Sequence, residues 1–201
     1  MLENERPTSE ARPRITQVDT LHSGFLRLLK LTIAQPDTSG FVREVEDHGD
    51  AVAVLPYDPA SRQALLARQF RAPALHAAGL ADLLEAPAGM LDEDDAEACA
   101  RREAMEEIGL RLGPLERVGT FFSSPGVSTE RHHLFLAPFS QADRVGEGGG
   151  LAEESEEITI VPVDLAELAA SADAGELVDL KTFTLVQALR LRHPDLFSAE
   201  A

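Results

Sequence analysis

The sequence predicts an α/β fold with a small N-terminal β subdomain, and three observations support this prediction. Segments in which apolar and polar residues alternate follow one another from residue 14 to residue 44, separated by "HSG" and "QPDTSG". Alternation is typical of strands, and breaks containing Gly, Pro or Asp are typical of turns. Further strand-like segments surround one helical segment, and two helical segments close the chain. This mixed order favours a layered α/β domain.

The predicted boundary assigns residues 1–48 to the β subdomain and residues 49–201 to the main domain. About the first dozen residues are rich in Pro, Glu and Arg, and we expect them to be disordered. The three strands expected in the β subdomain are "RITQVDTL", "FLRLLKLTIA" and "FVREVE".

The main domain is expected to begin with a hairpin, in which "AVAVLPYD" and "QALLARQFR" flank the turn "DPASR". A short strand, "LLEAPAG", then enters a glycine-containing loop. After the first helix come the strands "LERVGTFF", "HHLFLAPF" and "ITIVPV", and the last two are joined by the polar stretch "SQADRVGEGGGLAEESEE". Long connections of this kind are uncommon and often functional. The closing helices are expected in "DLAELAASA" and "DLKTFTLVQALRLRH".

The composition limits the partners and the compartment. Hydrophobic residues make up 44% of the 201 residues, which supports a packed core. The net charge of −17 disfavours nucleic-acid and anionic-membrane surfaces, because both are polyanions, but a small phosphorylated ligand remains compatible. The only cysteine, Cys99, cannot form an internal disulfide. No apolar run reaches the length of a membrane span, and the polar start is unlike a signal peptide, so we expect a cytoplasmic protein.

The first helix is expected to begin after Asp94 or Asp95 and to run to about Ile108. Both aspartates are good N-cap residues, and Glu97 stands three residues after Asp94, as in a variant of the capping box. Gly109 is well placed to end the helix in the left-handed conformation.

Two glutamates of this helix are expected to face the core. At about 100° per residue, Glu103 and Glu107 fall within the stripe of small and apolar residues, and Glu106 falls at its edge. Buried like charges need a compensating cation. An arginine could compensate one carboxylate, whereas two or three converging carboxylates favour a divalent ion such as Mg²⁺ or Mn²⁺. Helix geometry alone leaves both possibilities open.

The segment "AGMLDEDDAEACARREAMEEIGL" resembles the Nudix box, G-x5-E-x7-R-E-U-x-E-E-x-G-U, in which U is a bulky aliphatic residue. The spacing from the first glycine to the arginine is one residue short, Ala104 replaces an aliphatic residue, and Asp95 or Asp94 replaces the first glutamate. The matching positions are Gly89, Arg102, Glu103, Glu106, Glu107, Gly109 and Leu110.

Segments outside the box extend this resemblance over most of the chain. "REVEDHGDAVAVLPYD", "ARQFRAPA", "LLEAPAG", "SSPGVSTERHHLFLA" and "EEITIVPV" resemble the ADP-ribose pyrophosphatase branch, and "GELVDLKTFTLVQALRL" resembles GDP-mannose pyrophosphatases. The resemblance implies the α/β/α Nudix sandwich, an N-terminal β subdomain that helps to build a homodimer, and Mg²⁺-dependent hydrolysis of a nucleoside diphosphate linked to another group.

The resemblance also implies roles for the box residues. Glu103 and Glu107 correspond to metal ligands, and Glu106 lies close by as a ligand or just outside the ligand shell. The carbonyl of Ala88 would complete the metal site, and Gly89 permits the close backbone approach that this requires. The corresponding arginine, at position 102, orients the glutamates through a salt bridge, so Arg102, Glu106 and Glu107 are counted with the catalytic residues.

The catalytic base implied by the resemblance lies on the glycine-rich connection. Glu156 best fits the corresponding position, and Glu153 and Glu154 are alternatives because the loop could shift the register. The glycines at positions 148 to 150 would supply a hinge for loop closure.

Substrate contacts are expected from two further segments. Arg71 is a candidate for binding the diphosphate, because a guanidinium matches phosphate oxygens. Arg68 is the next candidate, although it could instead pair with Glu85 at the strand ends, and we count Glu85 with this set. In "SSPG", Ser124 and Gly126 would lie close to the ligand, although a plain turn is nearly as compatible.

The remaining reactive side chains are interpreted as structural. His132 and His133 occupy consecutive strand positions and therefore face opposite sides of the sheet. Cys99 belongs to the small-residue stripe of the helix and is expected to be a core residue.

Three functions are compatible with these features. The leading hypothesis is hydrolysis of ADP-ribose to AMP and ribose 5-phosphate, and the alternative is the same chemistry on GDP-mannose or another sugar nucleotide. The short box and "DLKTF" favour the alternative, whereas "SPGVSTER" and "LLEAPAGM" favour ADP-ribose. A non-catalytic nucleotide sensor is the remote alternative, because such proteins tend to lose the box glutamates.

Overall fold

The computed structural model of the protein describes residues 12–36, 38–91, 95–151 and 156–198. The chain divides into two compact units. Unit 1 comprises the chain up to Gly49 together with Phe122–Glu130, and unit 2 comprises Asp50–Phe121 together with the chain from Arg131 onward. Asp94, Glu153, Glu154 and nearly all of the N-terminal stretch expected to be disordered lie outside the described residues.

Unit 1 contains a three-stranded antiparallel sheet in the order β1-β2-β3, which confirms the three predicted strands. Residues that face each other across the strands share one side of the sheet. One side is therefore mostly apolar; it carries Thr20 and Arg43 together with the apolar residues Ile15, Val18, Leu29, Leu31, Ile33, Phe41 and Val45. The strands are β1 (Arg14–Ser23), β2 (Arg27–Ala34) and β3 (Phe41–Asp47).

Unit 2 contains a mixed sheet of seven strands within the described residues. The order β10-β5-β4-β9-β8 forms its body, β6 pairs with β5, and β7 pairs with β4. Strands β4 and β5 form the predicted antiparallel hairpin, and β4 and β9 run parallel. The strands are β4 (Asp50–Asp58), β5 (Gln63–Phe70), β6 (Asp82–Glu85), β7 (Ala88–Leu91), β8 (Glu116–Phe122), β9 (Arg131–Pro138) and β10 (Thr159–Asp164).

Three of the helices in unit 2 were predicted and one was not. The unpredicted helix is α1, a short segment with a proline in its first turn and no buried residue. No helix among the described residues has the length and apolar character needed to cross a membrane. The helices are α1 (Ala72–Ala78), α2 (Ala96–Ile108), α3 (Leu165–Ala174) and α4 (Leu180–Arg192), and short 3₁₀ turns occupy Gln141–Asp143 and Pro194–Phe197.

The helices cover both faces of the sheet in unit 2, as strand β4 shows. Val52 and Val54 pack with the buried face of α2, whereas Ala53, Leu55 and Tyr57 pack with α3 and α4. Alternate residues of a strand point to opposite faces, so these two hydrophobic layers lie on opposite sides of the sheet. The predicted α/β/α sandwich is therefore confirmed.

Helix α2 begins and ends close to the predicted residues. Asp95 is the N-cap, and its Oδ1 accepts hydrogen bonds from the backbone N–H groups of Glu97 at 2.9 Å and Ala98 at 3.0 Å. Because Asp95 caps the helix, Glu97 stands two residues later and not three, so the capping-box prediction was wrong. Gly109 ends the helix with φ of 69°, as predicted.

We expect Asp95→Ala to lower the free energy of unfolding by about 1 kcal/mol, because the substitution removes both capping hydrogen bonds. Urea unfolding followed by circular dichroism measures the change. Asp164 caps α3 through the same pair of bonds, so Asp164→Ala is the matched control and should lose a similar amount. A loss at Asp164 with none at Asp95 would contradict the assigned cap.

Candidate active site

The inward face of α2 carries the carboxylates that the sequence placed there. Glu107 is 1% exposed and Glu103 is 8% exposed, among the buried residues Ala100 and Ala104. Glu106 is half-buried at the edge of this face. The predicted orientation of the three glutamates is therefore confirmed.

Strand β7 lies directly against these carboxylates. Gly89 belongs to this strand and not to a loop, which corrects the sequence prediction. A Cβ atom at position 89 would lie 2.0 Å from Oε1 of Glu103, so a side chain at this position would displace the Glu103 carboxylate. The backbone N–H of Ala88 donates a hydrogen bond of 3.3 Å to Oε2 of Glu107.

Glu107 has an unsatisfied oxygen in this buried position. Its Oε1 is buried and has no hydrogen-bond partner among the described residues. Burial, followed by the negative charges of Glu103 and Glu156, raises the pKa of Glu107 from its usual value to about 8. A buried carboxyl oxygen without a partner is costly unless a proton or a cation compensates it.

Arg102 is the cation that contacts the other two glutamates. Its Nη2 lies 2.8 Å from Oε1 of Glu103, and its Nη1 donates to Oε2 of Glu106 at 2.9 Å. Although burial opposes its charge, Glu103 and Glu106 raise the pKa of Arg102 above its usual value. The predicted salt bridge from Arg102 to the glutamates is confirmed, and it compensates Glu103 and Glu106 but not Glu107.

The carboxylate oxygens of Glu103, Glu106 and Glu107 are of the type that binds a divalent cation. In this structure, however, they do not converge on a single ion position. Within residues 12–36, 38–91, 95–151 and 156–198, no three His, Cys, Asp or Glu side chains already form a metal site. Glu103 is instead turned towards Arg102. The unsatisfied Oε1 of Glu107 is the feature that favours a bound ion here.

A second cluster of charges is centred on Glu85, which is 1% exposed. Nε and Nη2 of Arg71 donate to the two oxygens of Glu85 at 2.7 and 3.0 Å, and Lys181 donates to its Oε2. Burial alone would raise the pKa of Glu85, but these two cations hold it below its usual value. Nζ of Lys181 also donates to Asp179 at 2.9 Å.

The predicted alternative pairing of Arg68 with Glu85 was wrong. In the pairing of β5 with β6, Arg68 lies opposite Leu84 and Ala67 lies opposite Glu85. Neighbouring residues point to opposite faces, so Arg68 and Glu85 are on different sides of the sheet. Arg68 instead lies 3.7 Å from Asp82 on the surface.

Hydrogen bonds connect the first turn of α4 to the backbone of Ala86, the residue after Glu85. Asp179 caps α4 and accepts hydrogen bonds from the N–H and the hydroxyl of Thr182. The hydroxyl of Thr182 in turn accepts a 2.6 Å hydrogen bond from the N–H of Ala86. This buried chain of hydrogen bonds fixes Lys181 beside Glu85.

Sequence reasoning gave no role to Lys181. One signal could have identified it, because a lysine in the first turn of a helix faces the positive end of the helix dipole. Such a residue needs a nearby carboxylate, and here Asp179 and Glu85 supply two.

Glu156 lies near the α2 carboxylates, as its effect on the pKa of Glu107 indicates. It is half-buried, and its Oε2 accepts a 3.2 Å hydrogen bond from the N–H of Leu151. The alternative bases Glu153 and Glu154 lie outside the described residues. Of the three candidate bases, Glu156 is therefore the one that lies within the described residues.

The remaining predicted residues are Ser124, Gly126, His133 and Cys99. Ser124 and Gly126 belong to the segment 122–130 of unit 1, and their role as substrate contacts remains a prediction. His133 bonds to Asp50 at 2.9 Å and to Thr120 at 3.1 Å, which agrees with a structural role. Cys99 is fully buried in the hydrophobic layer of α2, as predicted.

Comparison with known proteins gives matches to a family, to curated relatives and to a solved structure. The family model for the NUDIX domain matches residues 47–183. A GDP-mannose pyrophosphatase from Cronobacter sakazakii is 43% identical over 152 residues, covering 75% of this chain and 78% of that protein. The protein of the same name from Pectobacterium atrosepticum is 39% identical over 149 residues, covering 73% and 75%. A crystal structure of an ADP compounds hydrolase matches with a TM-score of 0.73 at 17% identity, over 90% of this chain and 93% of that chain, which shows a shared fold.

The raised pKa of Glu107 predicts how the stability of the metal-free protein depends on pH. Between about pH 5 and pH 8 the folded chain keeps a proton on Glu107 that the unfolded chain has lost, so the free energy of unfolding falls as the pH rises. We expect Glu107→Gln to show a smaller fall, measured as the thermal midpoint in chelator. Glu97→Gln, an exposed change on the same helix, should keep the wild-type slope. Equal slopes in wild type and Glu107→Gln would contradict the buried position of this carboxyl.

Proposed function

Because the chain belongs to the NUDIX domain family, we propose that it is a metal-dependent pyrophosphatase that hydrolyses the diphosphate bond of nucleoside diphosphate sugars. The observation that carries this proposal is the buried pair Glu103 and Glu107, packed against a glycine whose missing side chain lets the Glu103 carboxylate lie against the strand. A protein whose only role was structural would have no reason to bury two like charges and to leave one oxygen unsatisfied.

GDP-mannose is the substrate that the relatives favour. Proteins named GDP-mannose pyrophosphatase are 35% to 43% identical to this chain over about three quarters of its length. The products would be GMP and mannose 1-phosphate. ADP-ribose is the second candidate, because "SPGVSTER" and "LLEAPAGM" resemble segments of ADP-ribose pyrophosphatases.

The family generally needs a divalent metal ion, and the carboxylates of this site favour Mg²⁺, with Mn²⁺ as a substitute. The residues that would hold it are Glu103, Glu106 and Glu107 with the carbonyl of Ala88. When bound, the ion would neutralise charge on the diphosphate and lower the pKa of a bound water. The unsatisfied Oε1 of Glu107 supports its assignment as a ligand.

Arg71 and Lys181 would bind the diphosphate. Both side chains are held by Glu85, and the charge of Arg71 acts on Glu107, which indicates that the two residues are close. Cations held in place by a buried carboxylate are available to a phosphate group without a further ordering cost. Glu85 would thus position the cations and would not contact the phosphates itself.

Glu156 would accept the proton of the attacking water. In this step the water oxygen forms a bond to one phosphorus, its proton moves to the carboxylate of Glu156, and the bond to the bridging oxygen breaks. The second phosphate then leaves with the bridging oxygen. A carboxylate with a proton-accepting role must lie within reach of the water, and the position of Glu156 near Glu107 supports this.

Ser124 and Gly126 would contact the sugar nucleotide, as in the resembled family.

A non-catalytic sensor is disfavoured, because this chain keeps Glu103, Glu106 and Glu107. Cys99 is buried and has no second cysteine to pair with, which supports the cytoplasm as the compartment.

We expect the purified protein with Mg²⁺ to release phosphomonoesters from GDP-mannose faster than from ADP-ribose, and faster than from nucleoside triphosphates. Product formation is measured by ion-exchange chromatography. Glu107→Gln should lose at least about 100-fold in kcat, because it removes a metal ligand. Glu97→Gln is the control and should match wild type.

Two outcomes of this assay would contradict the proposal. If no sugar nucleotide is hydrolysed by folded wild-type protein, the enzymatic function is wrong. If Glu107→Gln keeps metal-dependent turnover, the assignment of the metal ligands is wrong.

The protein is further proposed to be a homodimer, with the apolar side of unit 1 as the interface. Val18 on this side is 55% exposed, and of the seven apolar residues there only Ile33 is buried. A three-stranded sheet with one apolar side needs a cover to keep that side from water. A second copy is the occupant proposed, because the matching side would be present on each protomer.

We expect light scattering after gel filtration to give the mass of a dimer for the wild type and that of a monomer for Val18→Glu. Val42 is 45% exposed on the opposite, polar side of the same sheet, so Val42→Glu is the matched control and should remain dimeric. A wild-type monomer at micromolar concentration, or dissociation by both substitutions, would contradict this interface.

A further inference from the structure

The C-terminal end of α2 is completed by a segment that is distant in sequence. The turn at Gly109 satisfies two of the last carbonyls of the helix. The carbonyls of Glu106 and Glu107 accept hydrogen bonds from the backbone N–H groups of Gly150 at 3.1 Å and Gly149 at 2.9 Å. The main chain of two proposed metal ligands is therefore bonded to the connection that precedes β10.

This segment, residues 145–151, is called the glycine strap. Its start is fixed as well, because the N–H groups of Val145 and Gly146 donate to the carbonyl of Gly109 at 3.0 and 3.1 Å. Three consecutive residues of the strap have positive φ angles, which favour glycine. They are Gly148 (66°), Gly149 (106°) and Gly150 (81°).

The strap and the helix approach each other backbone to backbone. A Cβ atom on Gly148 would lie 2.7 Å from the carbonyl oxygen of Glu107 and 2.8 Å from Cα of Ile108. Backbone atoms cannot move aside as the end of a flexible side chain can. A side chain at position 148 would therefore lift the strap away from α2.

The same strap fixes the segment that carries Glu156. The carbonyl of Gly149 accepts a 3.1 Å hydrogen bond from the N–H of Ile158. The N–H of Leu151 donates to the carboxylate of Glu156, and the carbonyl of Leu151 accepts from the N–H of Glu156, both at 3.2 Å. One short run of backbone thus bonds to α2 on one side and to the Glu156 segment on the other.

We infer that the glycine strap is a positioning element that sets the distance between Glu156 and the carboxylates of α2. This inference rests on the proposed function, in which Glu156 accepts the proton of the attacking water. The role differs from the hinge predicted for these glycines, because two of their N–H groups are held by α2. A displacement of about 1 Å between a catalytic group and its substrate can cost about 100-fold in rate.

The first test compares Gly148→Ala with Gly175→Ala in steady-state kinetics with GDP-mannose and Mg²⁺. Gly175 ends α3 with φ of 74°, and a Cβ atom there would have nothing within 4 Å, so Gly175→Ala carries the same backbone strain without displacing the strap. We expect Gly148→Ala to lose about 10- to 100-fold in kcat, with KM and the half-saturating Mg²⁺ concentration changed by less than about twofold. Gly175→Ala should keep the wild-type kcat.

The second test asks whether the strap acts through Glu156. In a Glu156→Gln background, Gly148→Ala should change kcat by less than about twofold, because the group that the strap positions has already been removed. An equal loss of kcat in both backgrounds would overturn the inference. Wild-type activity in Glu156→Gln would overturn it as well.

A second variant keeps the inference testable if Gly148→Ala does not fold. A Cβ atom on Gly150 would lie 2.8 Å from Cβ and 2.9 Å from Oε2 of Glu156, so Gly150→Ala displaces the carboxylate directly. We expect the same loss of kcat as for Gly148→Ala. If the wild type is active and the kcat of both strap variants equals that of Gly175→Ala, the positioning role of the strap is wrong and the proposed function stands. If the folded wild type hydrolyses no sugar nucleotide, the proposed function itself is wrong.

Discussion

The burial of Glu103 and Glu107 against β7 is the constraint on which the rest of the site depends. Two carboxylates of like charge repel each other, and burial strengthens the repulsion because little water screens it. The chain brings them together through small residues, since Gly89 on the strand allows contact with the side chain of Glu103. Burying the charged pair costs free energy, and the apolar burial in the hydrophobic layers on both faces of the sheet offsets this cost.

The cations around the site are arranged so that each is held by a carboxylate. Arg102 forms ion pairs with both Glu103 and Glu106. Arg71 and Lys181 both form ion pairs with Glu85. A chain with a net charge of −17 thereby keeps these three cations in fixed positions. Glu107 has only the N–H of Ala88 as a hydrogen-bond donor among the described residues, and this difference makes it the position in the site where an additional positive charge is most stabilising.

Features that depend on local periodicity and capping were predictable from the sequence. The hairpin of β4 and β5, the end of α2 at Gly109 and the inward direction of Glu103 and Glu107 all follow from residue spacing within one element. Helix α1 was missed because seven residues without a buried side chain carry no periodic signal. The predicted pairing of Arg68 with Glu85 was wrong because the register of β5 against β6 puts these residues on opposite faces of the sheet. The register depends on both strands and cannot be deduced from the sequence of either one.

The sequence by itself determined the α/β class, the family resemblance and the carboxylates of α2, because each depends on residues that are close in the chain. Only the tertiary structure decided which charges meet. Lys181 lies 96 positions after Glu85, and Gly149 lies 42 positions after Glu107, yet both pairs are in contact. Contacts of this separation depend on how the elements pack, and packing is set by the whole core and not by any single segment.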